Sequence, residues 1–589
     1  MLRLTEVKLP LDHAPDALRQ AVLSRLDIPP DDLLSLAIAR RGYDARRRSA
    51  IILVYAVDVR LRDEAACMAR HAIDPRLRPT PDTSYRPPIE LGAPPERAPP
   101  RHVPAGNLPT GNVPAGNVPA KRPPTRRPVV IGTGPCGLLA ALTLAEMGCC
   151  PLILERGKPV RDRTRDTWGL WRRGSLDAES NVQFGEGGAG TFSDGKLYSG
   201  IKDPRHLGRR LLQAFVEAGA PEDILTASKP HIGTFRLVSV VEGLRAKIRS
   251  LGGEYRFSAR VQDILLDRDR HVRGLTLAGG EQIEADAVIL AIGHSARDTF
   301  AMLYRRGVRI EAKPFSIGAR IEHPQSLIDR ARFGAFAGHP QLGPADYKLV
   351  HHATNARSVY SFCMCPGGRV VAATSEPGCV ATNGMSQYSR AEFNANAGIV
   401  VGLTPTDYTA DRAADDTAQS QPLAGIGFQR HWERRAFDAG GATYAAPAQL
   451  VGDLLAGRAS VALGEVVPSY QPGVQPADLA ACLPGFAIEA IRQALGRFAR
   501  DIPGFAMHDA VLTGVETRTS SPIRILRGSD GQSLNTQGLF PAGEGAGYAG
   551  GILSAGVDGI RVAEAVACWL LGVPLAERMT REQGAVAYG

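Results

Sequence analysis

The apolar positions change period as the chain runs. In residues 1–88, Leu4 to Leu9 reads as a strand, and Leu33 to Arg40 and Ala50 to Arg60 are rich in strand-forming residues. Spacings of three and four over Ala14 to Leu26 and Asp63 to His71 predict two helices. From residue 128 the strands read differently. Val129 to Ile131, Leu152 to Glu155 and Ala285 to Gly293 are short and largely apolar, the pattern of parallel strands buried on both faces. Helical spacing recurs at Leu138 to Met147, Val240 to Arg249, Phe486 to Phe498 and Ser554 to Leu571. Strand-like pieces occupy Glu254 to Leu266, Val272 to Ile283, Gly318 to Ile321 and Val359 to Cys365. Short buried strands alternating with helices predict an α/β fold.

The turn after the first buried strand carries chemistry. Gly132, Gly134 and Gly137 stand in the order G-x-G-x-x-G, with Pro135 and Cys136 between the last two. The first glycine permits the tight turn, the second lets the backbone approach a pyrophosphate, and the third lets helix and strand pack closely. The N–H groups and dipole of the helix then face the phosphates. Glu155 lies 23 residues after the first glycine, where a carboxylate can accept hydrogen bonds from ribose hydroxyls. Arg156, Arg163, Val261 and Gly293 are assigned to the same dinucleotide site. Downstream, Gly185 to Gly190 packs four glycines into six residues, an anion-binding nest. No crossover helix follows it. It therefore reads as a second face of the same site, through Gly188, Ala189, Gly190 and Thr191, with Ser193 and Lys196 in reach of the cofactor ring.

A third segment, Gly538 to Ile552, opens the last helix. Gly543 and Glu544 follow a short strand, and the Glu544 carboxylate can bond a ribityl hydroxyl. Gly550, Gly551 and Ile552 place a helix N-terminus where negative charge is stabilised, and reduced flavin is anionic at its N1/O2 edge. An acid hundreds of residues after the fingerprint distinguishes FAD from NAD. The chain is thus assigned a Rossmann-type FAD-binding domain in two parts, 128–300 and 515–589, with an inserted α+β substrate domain at 301–514. A small α+β domain, 1–88, precedes it, joined by a Pro/Gly/Asn-rich linker at 89–127 whose five-residue repeats at 104–119 cannot support a packed core.

Composition narrows the setting. At 589 residues, with 44% hydrophobic and 22% charged positions, the chain has the make-up of a globular protein with large cores. No apolar stretch is long enough to cross a membrane, and charges from Arg3 to Asp16 argue against a secretory leader. Nine scattered cysteines suggest reduced thiols and a cytoplasmic location. The net charge of +9 is uneven: residues 1–127 carry 21 Lys and Arg against 14 Asp and Glu, the remainder 48 against 46. The basic run Arg40 to Arg48 reads as a solvated hairpin loop or, alternatively, a nucleic-acid contact.

Taken together, these segments resemble a bacterial family of uncharacterised FAD-dependent dehydrogenases with a glutathione-reductase-like FAD fold behind a small N-terminal domain. The resemblance rests on Arg41 to Arg46, Glu179 to Leu197, Lys313 to Pro324, Ser361 to Gly368, Thr382 to Ser386 and Gly543 to Gly559. It implies FAD binding and oxidoreductase activity, and supplies no substrate. Cys136 departs from the alanine common at that fingerprint position, and a thiol is small enough to fit.

Candidates for catalysis are Cys363, Cys365 and Lys196. Strand alternation would put both thiols on one face, with Cα atoms roughly 6.6 Å apart, the upper edge of disulfide range. Such a bridge suits a redox relay, and inert packing is the alternative. His231, His294 and His323 lack sequence-visible partners. Arg320 and Glu322 alternate outward from an apolar strand, as if lining a substrate cleft. No metal is expected, because Cys-x-Cys lacks a second ligand pair. The expected function is hydride transfer between a small molecule and flavin N5, with NAD(P)H as a transient donor. Two other readings stay open: an RNA-associated flavoprotein docking through the basic N-terminal domain, and a noncatalytic flavin redox sensor.

Overall fold

The computed structural model describes residues 1–89, 127–409 and 421–575; the 104–119 repeats lie outside them. The N-terminal domain contains β1 (Leu2–Pro10), α1 (Ala17–Leu26), β2 (Leu33–Asp44), β3 (Ile52–Leu61), α2 (Glu64–Arg70) and β4 (Leu77–Pro79). Its sheet runs in the order β2-β3-β1-β4, and the alternating burial of β3 sets its buried face toward α1. The segment expected as a free basic loop is only partly one. Arg40 to Asp44 extend β2, and the Arg41 backbone both donates to Thr226 and accepts from Ser228. Tyr43 packs edge-on against Phe333, so the first half of that run is an interdomain contact. Only Arg46 to Ala50 form an exposed tip.

The next part of the chain begins with β5 (Val129–Ile131), α3 (Pro135–Glu146), β6 (Leu152–Leu154) and α4 (Val160–Arg173). Helices α5 (Leu207–Glu217) and α6 (Thr234–Ser250) lead to β7 (Glu254–Arg256), β8 (Val261–Leu266), β9 (Val272–Leu277), β10 (Gln282–Glu284), β11 (Val288–Leu290) and α7 (Arg297–Arg305). A parallel sheet of order β23-β11-β5-β6-β7 is completed by β23 (Leu539–Pro541), returning from the far end of the chain. Val129 to Ile131 and Val288 to Leu290 are buried throughout, as their apolar runs predict. Helix Ile552–Leu570 packs along α3, so the first and last parts of the chain form one layer. The expected strand Glu254 to Leu266 is interrupted at 257–260. There Ser258 takes φ +53° and donates to the Gly157 carbonyl, while Ala259 donates to that of Glu155. This break brings Ala259 and Val261 to the cavity described below.

Between these parts runs a seven-stranded sheet built on β13 (Phe315–Pro324), flanked by β18 (Asn394–Leu403) and β21 (Val511–Glu516). Outside β18 lie β15 (Ser358–Cys365) and β14 (Val350–His352), and outside β21 lie Ala446–Leu450 and Val474–Pro476. Helix Gly485–Asp501 covers it with an apolar face. Because β21 reaches Glu516, this sheet crosses the boundary expected at 514. Its apolar core continues into that of the N-terminal domain.

Candidate functional site

A cavity of about 380 Å³ opens at the carboxyl ends of the parallel strands, where open α/β sheets bind their ligands. Its first wall is main chain. Gly132 turns the chain at φ +96°, and a side chain there would strike the Ala291 carbonyl at 2.4 Å. Gly134 caps α3 and faces Gly188 (φ +63°), whose added Cβ would lie 2.7 Å from the Gly134 Cα. Pro135 and Cys136 complete this turn in the cavity wall. Gly137 does not reach the cavity: a Cβ on it would sit 1.9 Å from the Gly132 carbonyl, the close helix–strand packing expected of the third glycine.

The nest residues Gly188, Ala189 and Gly190 also line the cavity. Thr191 stands behind them, with its buried hydroxyl turned toward the Gly187 Cα. Gly293, Glu544, Gly550, Gly551 and Ile552 form the opposite lip. Gly551 (φ +105°) caps the last helix, and neither it nor Gly293 has an atom within 4 Å of where a Cβ would project. Two helix N-termini without acidic residues in their first turns thus face one space lined largely by glycine main chain, a cradle for an extended phosphate-bearing ligand. Gly543 is a packing residue, with its missing Cβ 2.8 Å from that of Cys136.

Glu155 and Arg156 line the same end, as does Val261. The Glu155 carboxylate already accepts from the N–H groups of Thr133, Gly157 and Gly185 and from the Thr133 hydroxyl at 2.5–3.0 Å. A ribose hydroxyl would have to share an oxygen with these donors. Arg156 is held by Glu179 and Asp298 and stacks over Phe184. Arg163 corrects the sequence assignment. It is fully buried outside the cavity, and its guanidinium donates to the carbonyls of Asn181, Val182 and Glu186. It braces the glycine-rich loop rather than touching a ligand.

The far end is made of side chains. Lys196, 23% exposed, pairs with Asp194 at 2.9 Å and also donates to the Met364 carbonyl. Asp194 is buried, and Arg390 donates to it at 2.5 and 2.9 Å while the Ser386 hydroxyl also bonds it. Burial alone would raise the Asp194 carboxyl, but Lys196 and Arg390 outweigh it and hold it well below the carboxylate range. Cys363 reaches the cavity and Cys365 does not. The single strand face expected for the two thiols is broken by a register shift after Phe362, with Cys363 at φ +42°. Phe362 and Asn383 complete this wall. Asn383 and Asp194 escape sequence reasoning as site residues, although both sit inside segments singled out above; Asp-Gly-Lys at 194–196 was the available signal.

Arg320 and Glu322 do not line a cleft. Strand β13 is central, and every residue but its last is buried, so both of its faces are covered. Arg320 pairs with Glu516 at 2.8 Å and donates to Asn396, and Glu322 accepts from Ser469 and Asn394. Of the three candidate histidines, His294 lines the cavity; burial, then Arg518 and Arg297, push its imidazole down to about 3, so it is neutral. His323 is buried against Phe505, and His231 stacks on Tyr388. Burial raises Glu544 to about 7, against the Gly551 N–H and Lys313. Glu376, Cys379 and Glu433 come close enough together to suggest a metal. Both carboxylates are instead matched by Arg297, and further by Arg518 and Arg430.

A glycine cradle closed by two helix N-termini fits a flavin dinucleotide, and comparison with known proteins agrees. Residues 314–519 match the family model described as FAD-dependent protein, C-terminal domain-like, and residues 1–60 match a domain of unknown function. The cofactor is FAD. An uncharacterized protein of Clostridium beijerinckii is 42% identical over 565 residues, covering 96% of this chain and 98% of that one. The chain belongs to the same family as that clostridial protein. Among solved structures, glycine oxidase from Bacillus cereus matches at TM-score 0.31 and 11% identity, over 77% of this chain and 99% of its own. CtdE in complex with FAD matches at 0.28 and 12%, over 78% and 87%. Among the described residues, no helix is long and apolar enough to cross a membrane.

Proposed function

We propose that the protein is an FAD-dependent oxidoreductase of small-molecule substrates, acting in the cytoplasm, with a FAD domain of glutathione-reductase type. The observation that carries this reading is the composite cavity, whose cradle comes from the FAD-binding parts and whose far wall comes partly from the inserted sheet. FAD held there supplies hydride transfer at N5 of its ring. The fingerprint turn and the 188–190 nest hold the phosphates, and the Gly551 helix N-terminus favours negative charge at the ring edge. Glu544, poised near neutrality, can hold or release a proton inside the cavity. Lys196 is positioned by Asp194 to meet a polar group of the substrate. NAD(P)H is the proposed donor, bound without a Rossmann domain of its own.

The test is anaerobic. Purified protein should release FAD, not FMN, on denaturation, and NADH or NADPH should bleach the bound flavin in a stopped-flow experiment. Reoxidation by a panel of small acceptors then identifies the substrate class. A flavin that no nicotinamide or small-molecule donor reduces would favour the redox-sensor reading instead.

A further inference from the structure

The cavity wall at β15 is chemically unlike the rest. We infer that Cys363 and Cys365 form a redox-active dithiol that exchanges two electrons with the bound flavin. The inference rests on the flavoenzyme reading above and assigns that site a second electron carrier. The register shift after Phe362 turns Cys363 into the cavity, while Cys365 stays fully buried behind it. The Cys365 thiol donates to the Cys363 carbonyl at 3.3 Å, which sets it directly behind its neighbour. Neither is tied up in another bond to sulfur.

The surroundings divide the labour. Lys196, Arg320 and Arg390 face the pair, against Asp194 and Glu516. Lys196 and Arg390 share Asp194, and Arg320 takes Glu516. Asp346 also acts on Arg390, so these cations and carboxylates balance, and Lys196 and Arg320 act directly on Cys363 to favour its thiolate. Glu544, itself facing Lys313, and Tyr347 are the remaining titratable neighbours. The Cys365 S–H bond lowers Cys363 against the pull of burial, with Lys196 and Arg320 adding to it and Glu516 opposing. That same contact, with burial, raises Cys365. Cys363 is the thiolate at the wall and Cys365 keeps its proton behind it.

The step balances. As the S–S bond forms, the Cys363 thiolate and Cys365 thiol together give up two electrons and one proton. Oxidised flavin takes up both electrons and that proton, becoming the anionic reduced form. The reverse step returns them. A bridge between residues two apart is strained and therefore oxidising, so the favoured direction is from reduced flavin to disulfide.

The experiment uses the full-length, FAD-loaded protein without air. Thiols are counted by a chromogenic disulfide in denaturant, before and after photoreduction. Wild type should gain two thiols, and Cys363→Ser and Cys365→Ala none. With the dithiol reduced and the flavin oxidised, wild type should also show a long-wavelength thiolate-to-flavin absorbance that rises with pH. Cys363→Ser should lack this band. Cys365→Ala should keep it with a midpoint at higher pH, because the S–H donor is gone, and this variant decides the matter if Cys363→Ser does not fold. Equal thiol counts in both redox states of a FAD-loaded wild type, with no such band, overturn the dithiol alone. A wild type that cannot be loaded with FAD overturns both this inference and the flavin reading.

Discussion

At the Gly134 end the cavity wall is main chain; at the Cys363 end it is ion-paired side chains drawn from distant segments. The first is fixed by which residues lack a Cβ, and each glycine acts within a turn it also shapes. The second depends on Lys196, Asp194, Arg390 and Arg320 being brought together by tertiary folding. A main-chain site fails when something is added to it. A side-chain site fails when one charge is removed.

Gly134→Val should give the largest effect. A branched side chain would fill the space between Gly134 and Gly188, and FAD content should fall below about a tenth of wild type, read from the ratio of flavin to protein absorbance. Normal flavin content would show that the cradle is not the phosphate site. Next comes Asp194→Asn, which leaves Lys196 and Arg390 facing each other without their shared carboxylate. Removing one partner of a buried ion pair costs on the order of 3 kcal/mol, measurable by urea unfolding. A loss near zero would mean that water enters this end freely.

A smaller effect sits between the two ends. Glu544 is raised to about 7 from its ordinary 4.5 by burial. Its contribution to stability is therefore complete below about pH 4.5 and is lost as pH rises through about 7. Glu544→Gln should raise the melting temperature of the apoprotein at pH 8 and change it little at pH 4.5. The same shift at both pH values would assign the effect to packing rather than charge. Deleting residues 104–119 should give the smallest change, with flavin content and melting temperature near wild type. Loss of FAD in that deletion would bring the repeats into the site.

The same contrast explains what the sequence made legible. The strand–turn–helix at 129–146, the nest and the Glu544–Ile552 segment are local, so spacing alone located the cradle. Arg156 and Arg163 look alike in sequence, seven residues apart. Only packing sends one to the cavity and the other into three buried carbonyls. Arg320 and Glu322 alternate as a half-exposed strand would, but β13 has neighbours on both edges and cover on both faces. The thiol pair was visible as Cys-x-Cys, whereas the bulge that exposes one sulfur was not. Nor could the sequence show that Arg41 and Tyr43 are spent on the body of the protein.

That seating has a consequence for the chain as a polymer. The N-terminal domain is attached by the Arg41 backbone against 226–228, by Tyr43 against Phe333, and by the segment after β4, where Tyr85 donates to Glu564 at 3.0 Å and Ile89 joins the core around α3. A cut within residues 90–126 would therefore produce two fragments that still behave as one particle.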